Sequence, residues 1–244
     1  MTTLRAAFDV SKDSPGGVTT VGWFVGTADV WTKIEERWNA QLALARLSDF
    51  HLKNIKSRFP HWTAIVKPFA MITCNSGLRS VAVILNDIEW KSLTHDAAYR
   101  KICPHREHAC LDLMFNVLEE DGRLQFNNEP MTVVFDNDYG NSKLALRVHD
   151  AWCRRNRHPG FNIVFKGSVP WDAVPLQCAD MVAGLLRQDQ LTRAMLADNV
   201  RTFDDNNPVS DHICALSPGR HTLWSLPIAR KVEAAQKRTA GASG

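Results

Sequence analysis

Four aspartates and one amide carry the chemistry that this sequence could perform. In PLQCADMVAG, residues 175–184, a helix opens among apolar neighbours yet sets Gln177 and Asp180 in its first turns. Leu176, Ala179, Ala183 and Leu186 form one apolar stripe; Gln177, Asp180 and Gly184 form the next, at i, i+3, i+7. The second stripe therefore also abuts the body of the protein. A partly buried carboxylate without compensation is costly, so Asp180 needs an arginine, an amide or a cation. Gly184 leaves room for a neighbour to come close. Gln177 could hydrogen-bond a site carboxylate or a substrate phosphate, or cap the helix.

Asp9 follows the apolar run LRAAF, and Asp136 follows MTVVF. Asp138 lies two residues further on and, in an extended chain, shares the face of Asp136. Aspartate also favours the starts of turns, and DNDYGN is rich in turn formers. Taken together, Asp9, Asp136 and Asp180 would converge from two strand ends and a helix on one end of a sheet. That is where sites gather in open α/β sheets. Neighbouring carboxylates repel and raise each other's pKa, and a divalent ion relieves that repulsion. An oxygen-only ligand set suits Mg²⁺ or Mn²⁺. Two such ions about 3.5–4 Å apart could activate water and stabilise the leaving oxygen in phosphodiester hydrolysis.

The elements that must position these residues are read from periodicity. Residues 4–10 and 18–26 are expected as strands joined by the turn-rich SKDSPGG. Residues 27–47 turn helical, with Val30, Ile34, Trp38 and Leu42 spaced by four and Thr27 or Asp29 as the cap. Residues 48–62 read as a basic connector, and Pro68 interrupts the ambiguous run that follows. A strand over 78–85 precedes a helical stretch over 94–123 broken at Pro104. Then come a strand (129–138), a helix (141–156), a strand (161–165) and the long helix 174–196. Early hairpins followed by β-α-β crossovers predict an α/β protein with a mixed sheet flanked by helices. One domain over 1–230 is expected, with a surface loop over 198–212 and a flexible tail over 231–244.

The 244 residues are 45% hydrophobic and 23% charged, ordinary for a globular protein. No run of about 18 apolar residues would span a membrane. The opening MTTLRAAFDV has no long apolar stretch, so a cytoplasmic location is expected by default. A net charge of +3 permits a phosphate-rich partner without requiring one. HLKNIKSRFPHW interleaves Lys53, Lys56 and Arg58 with Phe59 and Trp62, a mixture that can track a nucleic-acid backbone and stack on bases. CRRNRHPG adds Arg154, Arg155 and Arg157, which would equally suit a solvated helix end. The six cysteines contain no C-x-x-C pair, and most read as small buried hydrophobes. His105 and His108, at i, i+3 after Pro104, read as a helix start rather than a metal pair.

The helix motif PLQCADMVAG resembles the C-terminal signature of the DUF3800 family, a largely bacterial group with a ribonuclease H-like fold. That family opens with a strand ending in Asp-Glu-Ser-Gly; here FDVSK keeps Asp9 and Ser11 and departs at Val10 and Lys12. DFHLKN matches a middle Phe-His pattern through Phe50 and His51, and VVFDND matches the acidic strand end. The likeness covers residues 4–190. It implies a mixed sheet of three antiparallel strands followed by helices alternating with parallel strands. It implies that Asp9, Asp136 and Asp180 hold Mg²⁺ or Mn²⁺, with Asp138 in reserve. His51 would assist as a proton carrier, the role for which an imidazole side chain is suited. The implied activity is nucleolytic, on nucleic acid. The altered first motif implies the alternative of a catalytically decayed module that binds nucleic acid or a protein.

Overall fold

The alternating apolar residues of the first strands make a hairpin that anchors the whole sheet. A computed structural model describes residues 4–12, 18–74, 76–86, 90–91, 94–125, 131–136, 142–155, 163–169, 173–197 and 221–224. Strand β1 (Leu4–Lys12) pairs antiparallel with β2 (Val18–Thr27), which pairs antiparallel with β3 (Arg79–Asn86). Strand β4 (Met131–Asp136) runs parallel to β1, and β5 (Ile163–Val169) runs parallel to β4. A sixth strand, β6 (His221–Trp224), lies parallel to β3 and closes the order β5-β4-β1-β2-β3-β6. The expected α/β architecture, a mixed sheet flanked by helices, is the one observed.

Seven helices over three residues in length cover the sheet among the described residues: α1 (Ala28–Ala45), α2 (Leu52–Arg58), α3 (Trp62–Cys74), α4 (Ala97–Ile102), α5 (Arg106–Gln125), α6 (Ser142–Arg155) and α7 (Val174–Ala197). One face of the sheet sends Leu4, Ala6, Phe8, Val21 and Trp23 into a core with α5 and α6 residues such as Met114, Phe115 and Trp152. The other face sends Phe24 into a core with Trp31, Ile34 and Trp38 of α1, Phe69 of α3, and Met181 and Val182 of α7. Period-two alternation along β1 decides which residue meets which layer. Ala6 and Phe8 meet the α5 side, whereas Ala7 packs on Leu176 of α7.

Helix α1 starts where Thr27 Oγ1 accepts from the Val30 amide, and it buries Trp31, Ile34, Trp38 and Leu42. Trp31 takes the inward place expected for Val30 because its indole also reaches the Arg5 carbonyl, at 2.9 Å. Two expectations are corrected. The connector 48–62 contains α2, whose buried Leu52 and Ile55 are too few to show a helical period. Pro68 sits inside α3, where burial of Val66, Phe69, Ala70 and Ile72 outweighs the lost backbone bond. The break at Pro104 is observed, between α4 and α5. Strand β6 was not foreseen from four residues. The loop expected over 198–212 and the tail over 231–244 lie outside the described residues. No helix among the described residues is long and apolar enough to cross a membrane.

Candidate active site

Helix α7 lies directly on the backbone of the hairpin. A Cβ built on Gly22 would come within 2.6 Å of the Ala183 nitrogen and the Val182 Cγ1, so the helix approaches where β2 has no side chain. Gly22 is the register partner of Asp9. Opposed residues of an antiparallel pair share a face, and Ala7 already faces α7, so the Asp9 side chain lies on the α7 side of the sheet. Strand β1 does not end at Asp9 as expected, because its pairing with β2 continues to Lys12 opposite Thr19. Only the pairing with β4 stops there.

That parallel pairing runs from Leu4 opposite Met131 to Phe8 opposite Phe135. Asp9 and Asp136 are the next residue of each strand after this pairing ends, and β4 has an irregularity in its pairing with β5 between Val134 and Asp136. Asp136 is the last residue of β4. Its side chain, and the whole of Asp138, lie outside the described residues.

Asp180 is buried, at 8% exposure, on the same side of the sheet. Its Oδ2 accepts from the Leu52 amide at 2.7 Å. Burial pushes its carboxyl pKa up; the Leu52 hydrogen bond and the charges of His51 and Arg187 act in the opposite direction and offset this only in part. Gly184, one turn on, makes the predicted room: a Cβ there would meet Leu52 Cδ2 at 2.5 Å. The start of α2 is thus docked on α7 by one hydrogen bond and one side chain seated over a glycine.

Gln177, read from sequence as a contact to a carboxylate or phosphate or as a cap, is turned into the protein. It is 1% exposed, and its Oε1 accepts from the Trp38 indole at 2.9 Å and from the Phe50 amide at 2.9 Å. Trp38, Phe50 and Phe69 pack as a ring cluster with centroids 4.8–5.3 Å apart. Gln177 and Asp180 together therefore fasten residues 50–52 to α7. His51 lies between those two anchor points, at the N-cap position of α2, half-buried and close enough for its charge to act on Asp180. Lys53 and Arg58 are exposed on α2. Lys56 is half-buried, with Nζ 5.3 Å from the centre of the Trp62 ring.

No family model matches the chain, and no curated protein matches it in sequence.

Sequence reasoning missed Arg187. It extends the Gln177, Asp180, Gly184 stripe by one more turn, and its charge acts on both Asp180 and Lys56. Continuing the i, i+3, i+7 count would have found it. The second basic cluster divides. Arg155 pairs with buried Asp112 and joins α6 to α5 on the opposite face of the sheet; Arg157 lies outside the described residues. Cys103, Cys110 and Cys178 are buried and form no disulfide, and burial raises the Cys103 pKa to about 12. His108 is fully buried beside His105, with ring centroids 5.4 Å apart. Among the described residues no group of three His, Cys, Asp or Glu side chains is positioned to hold a metal ion. Asp9 and Asp180 are among the described residues; the side chains of Asp136 and Asp138 are not.

Proposed function

We propose that this chain is a metal-dependent nuclease of ribonuclease H-like, DUF3800-type fold that hydrolyses phosphodiester bonds. The single observation that carries the reading is the strand register. The parallel pairing of β1 and β4 ends at Phe8 and Phe135, so Asp9 and Asp136 follow directly at the same end of a sheet whose α7 side also carries Asp180. The order β5-β4-β1-β2-β3, with antiparallel pairing inside the first three strands and parallel pairing outside, supports the fold assignment. The donor set fits a hard cation: it is made of carboxylate oxygens, and Asp180 is held in a setting that burial makes unfavourable to its own charge. Asp9, Asp136 and Asp180 would hold Mg²⁺ or Mn²⁺, with Asp138 as a fourth candidate. When bound, the ion supplies Lewis-acid activation of water and charge stabilisation at the leaving oxygen.

The residues of the chain supply the rest. His51, pinned between the Phe50 and Leu52 anchors, is the proton carrier. Lys53, Lys56 and Arg58 hold the polyanion along α2. Val10 and Lys12, where the family pattern has other residues, favour the second reading of a binding module without catalysis.

The deciding experiment is cleavage of labelled DNA and RNA in Mn²⁺, Mg²⁺ or EDTA, with wild type beside Asp180→Asn. Chelation should abolish cleavage. The substitution should lower it by at least the roughly 100-fold that loss of even an outer partner of a metal ligand can cost. A parallel thermal melt reads the metal without activity. Mn²⁺ at about 100 times its Kd should stabilise wild type by about 2.7 kcal/mol and leave Asp180→Asn unmoved. Cleavage indifferent to both chelator and substitution refutes the mechanism. Binding without cleavage selects the second reading.

A further inference from the structure

The face of the sheet away from Asp180 carries a second group of chemically capable side chains, all on α6. His149 and Cys153 are one helical turn apart and therefore neighbours on the helix surface. Cys153 Sγ lies 3.5 Å from His149 Nε2. The other ring nitrogen, Nδ1, faces the Asp150 carboxylate, with Oδ1 at 3.9 Å. The rings of Phe115 and Trp152 flank the imidazole, with centroids 5.2 and 6.3 Å away, and hold its plane. His149 and Cys153 are partly buried and Asp150 is exposed, so the group opens to solvent.

Two chemistries use a cysteine, a histidine and a carboxylate in this order. One is a thiolate nucleophile paired with an imidazolium. It needs a thiol pKa held down and an imidazole pKa held up. Here both shifts run the other way: burial lowers His149 and raises Cys153, and the Asp150 charge adds to the rise at Cys153. The other chemistry is metal ligation, which needs an unprotonated imidazole and a sulfur whose proton the metal displaces. With Zn–S of about 2.3 Å and Zn–N of about 2.0 Å, a tetrahedral angle sets sulfur and nitrogen about 3.5 Å apart. That is the separation found on α6. A carboxylate at the far nitrogen is the usual outer partner of a zinc-bound histidine.

We propose that His149 Nε2 and Cys153 Sγ form a two-ligand site for Zn²⁺, with Asp150 orienting the imidazole. Among the described residues no third His, Cys, Asp or Glu joins them as a ligand, so water completes the tetrahedron. Binding forms one Zn–N and one Zn–S bond and releases the thiol proton to solvent. The site is separate from the carboxylates on the α7 side and stands whether or not the chain cleaves nucleic acid.

The test is alkylation of the full chain by iodoacetamide, read at Cys153 by peptide mass spectrometry across a Zn²⁺ titration. The thiolate is the nucleophile in alkylation, and a bound ion occupies its lone pair. At Zn²⁺ about ten times its Kd the unliganded fraction falls about elevenfold, and alkylation at Cys153 should slow by about that factor. In Asp150→Asn the Zn²⁺ needed for half protection should rise about tenfold. In His149→Gln protection should be lost. His149→Phe, which keeps a ring against Phe115 and Trp152, should lose it as well. Each protein is compared with itself without Zn²⁺, so a change in thiol exposure cancels, and a thermal melt confirms that each variant is folded. Mg²⁺, a hard ion, should protect none of them.

Equal alkylation rates across the titration reduce the pair to a thiol–imidazole hydrogen bond and overturn the site. Protection that survives both His149 substitutions means that the sulfur binds the ion without the imidazole, and overturns it equally. A half-protection point unmoved in Asp150→Asn overturns the orienting role of the carboxylate.

Discussion

Gln177 offers the sharpest check on how the site is built. Its Oε1 accepts two hydrogen bonds, from the Trp38 indole and the Phe50 amide, at a position only 1% exposed. Replacing it with Met keeps an unbranched side chain of similar length and removes the acceptor. Two buried donors then lose their partner, at about 1–3 kcal/mol each. The expected cost is about 2–6 kcal/mol, a large part of the roughly 5–15 kcal/mol that stabilises a typical domain. In urea, with a slope of about 1–3 kcal/mol per molar, the midpoint should fall by roughly 1–2 M. Trp38→Phe removes one of the two donors. In the double variant Gln177→Met with Trp38→Phe, that donor is no longer stranded, so the double should be less destabilised than the sum by about 1–3 kcal/mol. The Phe50 amide remains stranded in both backgrounds and cancels from the cycle. A midpoint shift below about 0.3 M, or strict additivity of the two substitutions, would show that Gln177 does not fasten the 50–52 segment.

Two further predictions use other parts of the same scaffold. Gly22→Ala should cost about 1–3 kcal/mol in urea unfolding, because the new methyl meets the Ala183 backbone at 2.6 Å and a backbone cannot step aside. Gly184→Ala should be near neutral, since its 2.5 Å contact is with the mobile end of Leu52 and alanine regains up to about 1 kcal/mol of helix propensity; equal costs at the two glycines would refute the close approach of α7 to β2. On the far face, burial lowers the His149 pKa from its usual 6.5, with Asp150 opposing weakly. A lowered base binds fewer protons folded than unfolded. Its contribution is therefore whole above about 6.5 and lost as pH falls through the folded value. His149→Phe, which keeps a ring against Phe115 and Trp152, should flatten the acid side of a melting temperature against pH profile; an unchanged profile counts against the burial.

Local pattern carried the sheet and most of the helices, and it failed where a partner far along the chain decided the outcome. The stripe on α7 was legible because it needs only a helical period, and Gly184 could be read from the same count. The use of Gln177 was not legible: its partners lie 139 and 127 residues away. Without them an amide in a first turn is equally a cap, a phosphate contact or an anchor. Helix α2 was hidden because seven residues with two inward positions show no repeat, and its start is fixed by Asp180 from 128 residues away. Pro68 argued against a helix by a local rule that burial of α3 overrode. Asp9 shows a partial reading of another kind. Its strand was expected to end there, yet β1 continues on the hairpin side and stops only on the side of β4. The residue is where two pairings part company, which no one-dimensional pattern displays.

The choice of acid at position 180 separates architecture from chemistry. As an acceptor for the Leu52 amide, an asparagine would serve as well, because its side-chain carbonyl offers the same oxygen without a charge to desolvate. The carboxylate is held where burial disfavours its ionised form by more than the Leu52 hydrogen bond, His51 and Arg187 together recover. The ionised acid gains a stronger hydrogen bond from the Leu52 amide and attraction from the charges of His51 and Arg187, which offset only part of the burial. On the nuclease reading, a cation bound at Asp180 would return the remainder. The scaffold around Asp9 and Asp180 is specific: a glycine opposite Asp9 where α7 approaches β2, and a glycine one turn after Asp180 over which Leu52 sits. On the nuclease reading, these backbone contacts are what would hold Asp9 and Asp180 on one side of the sheet for a cation.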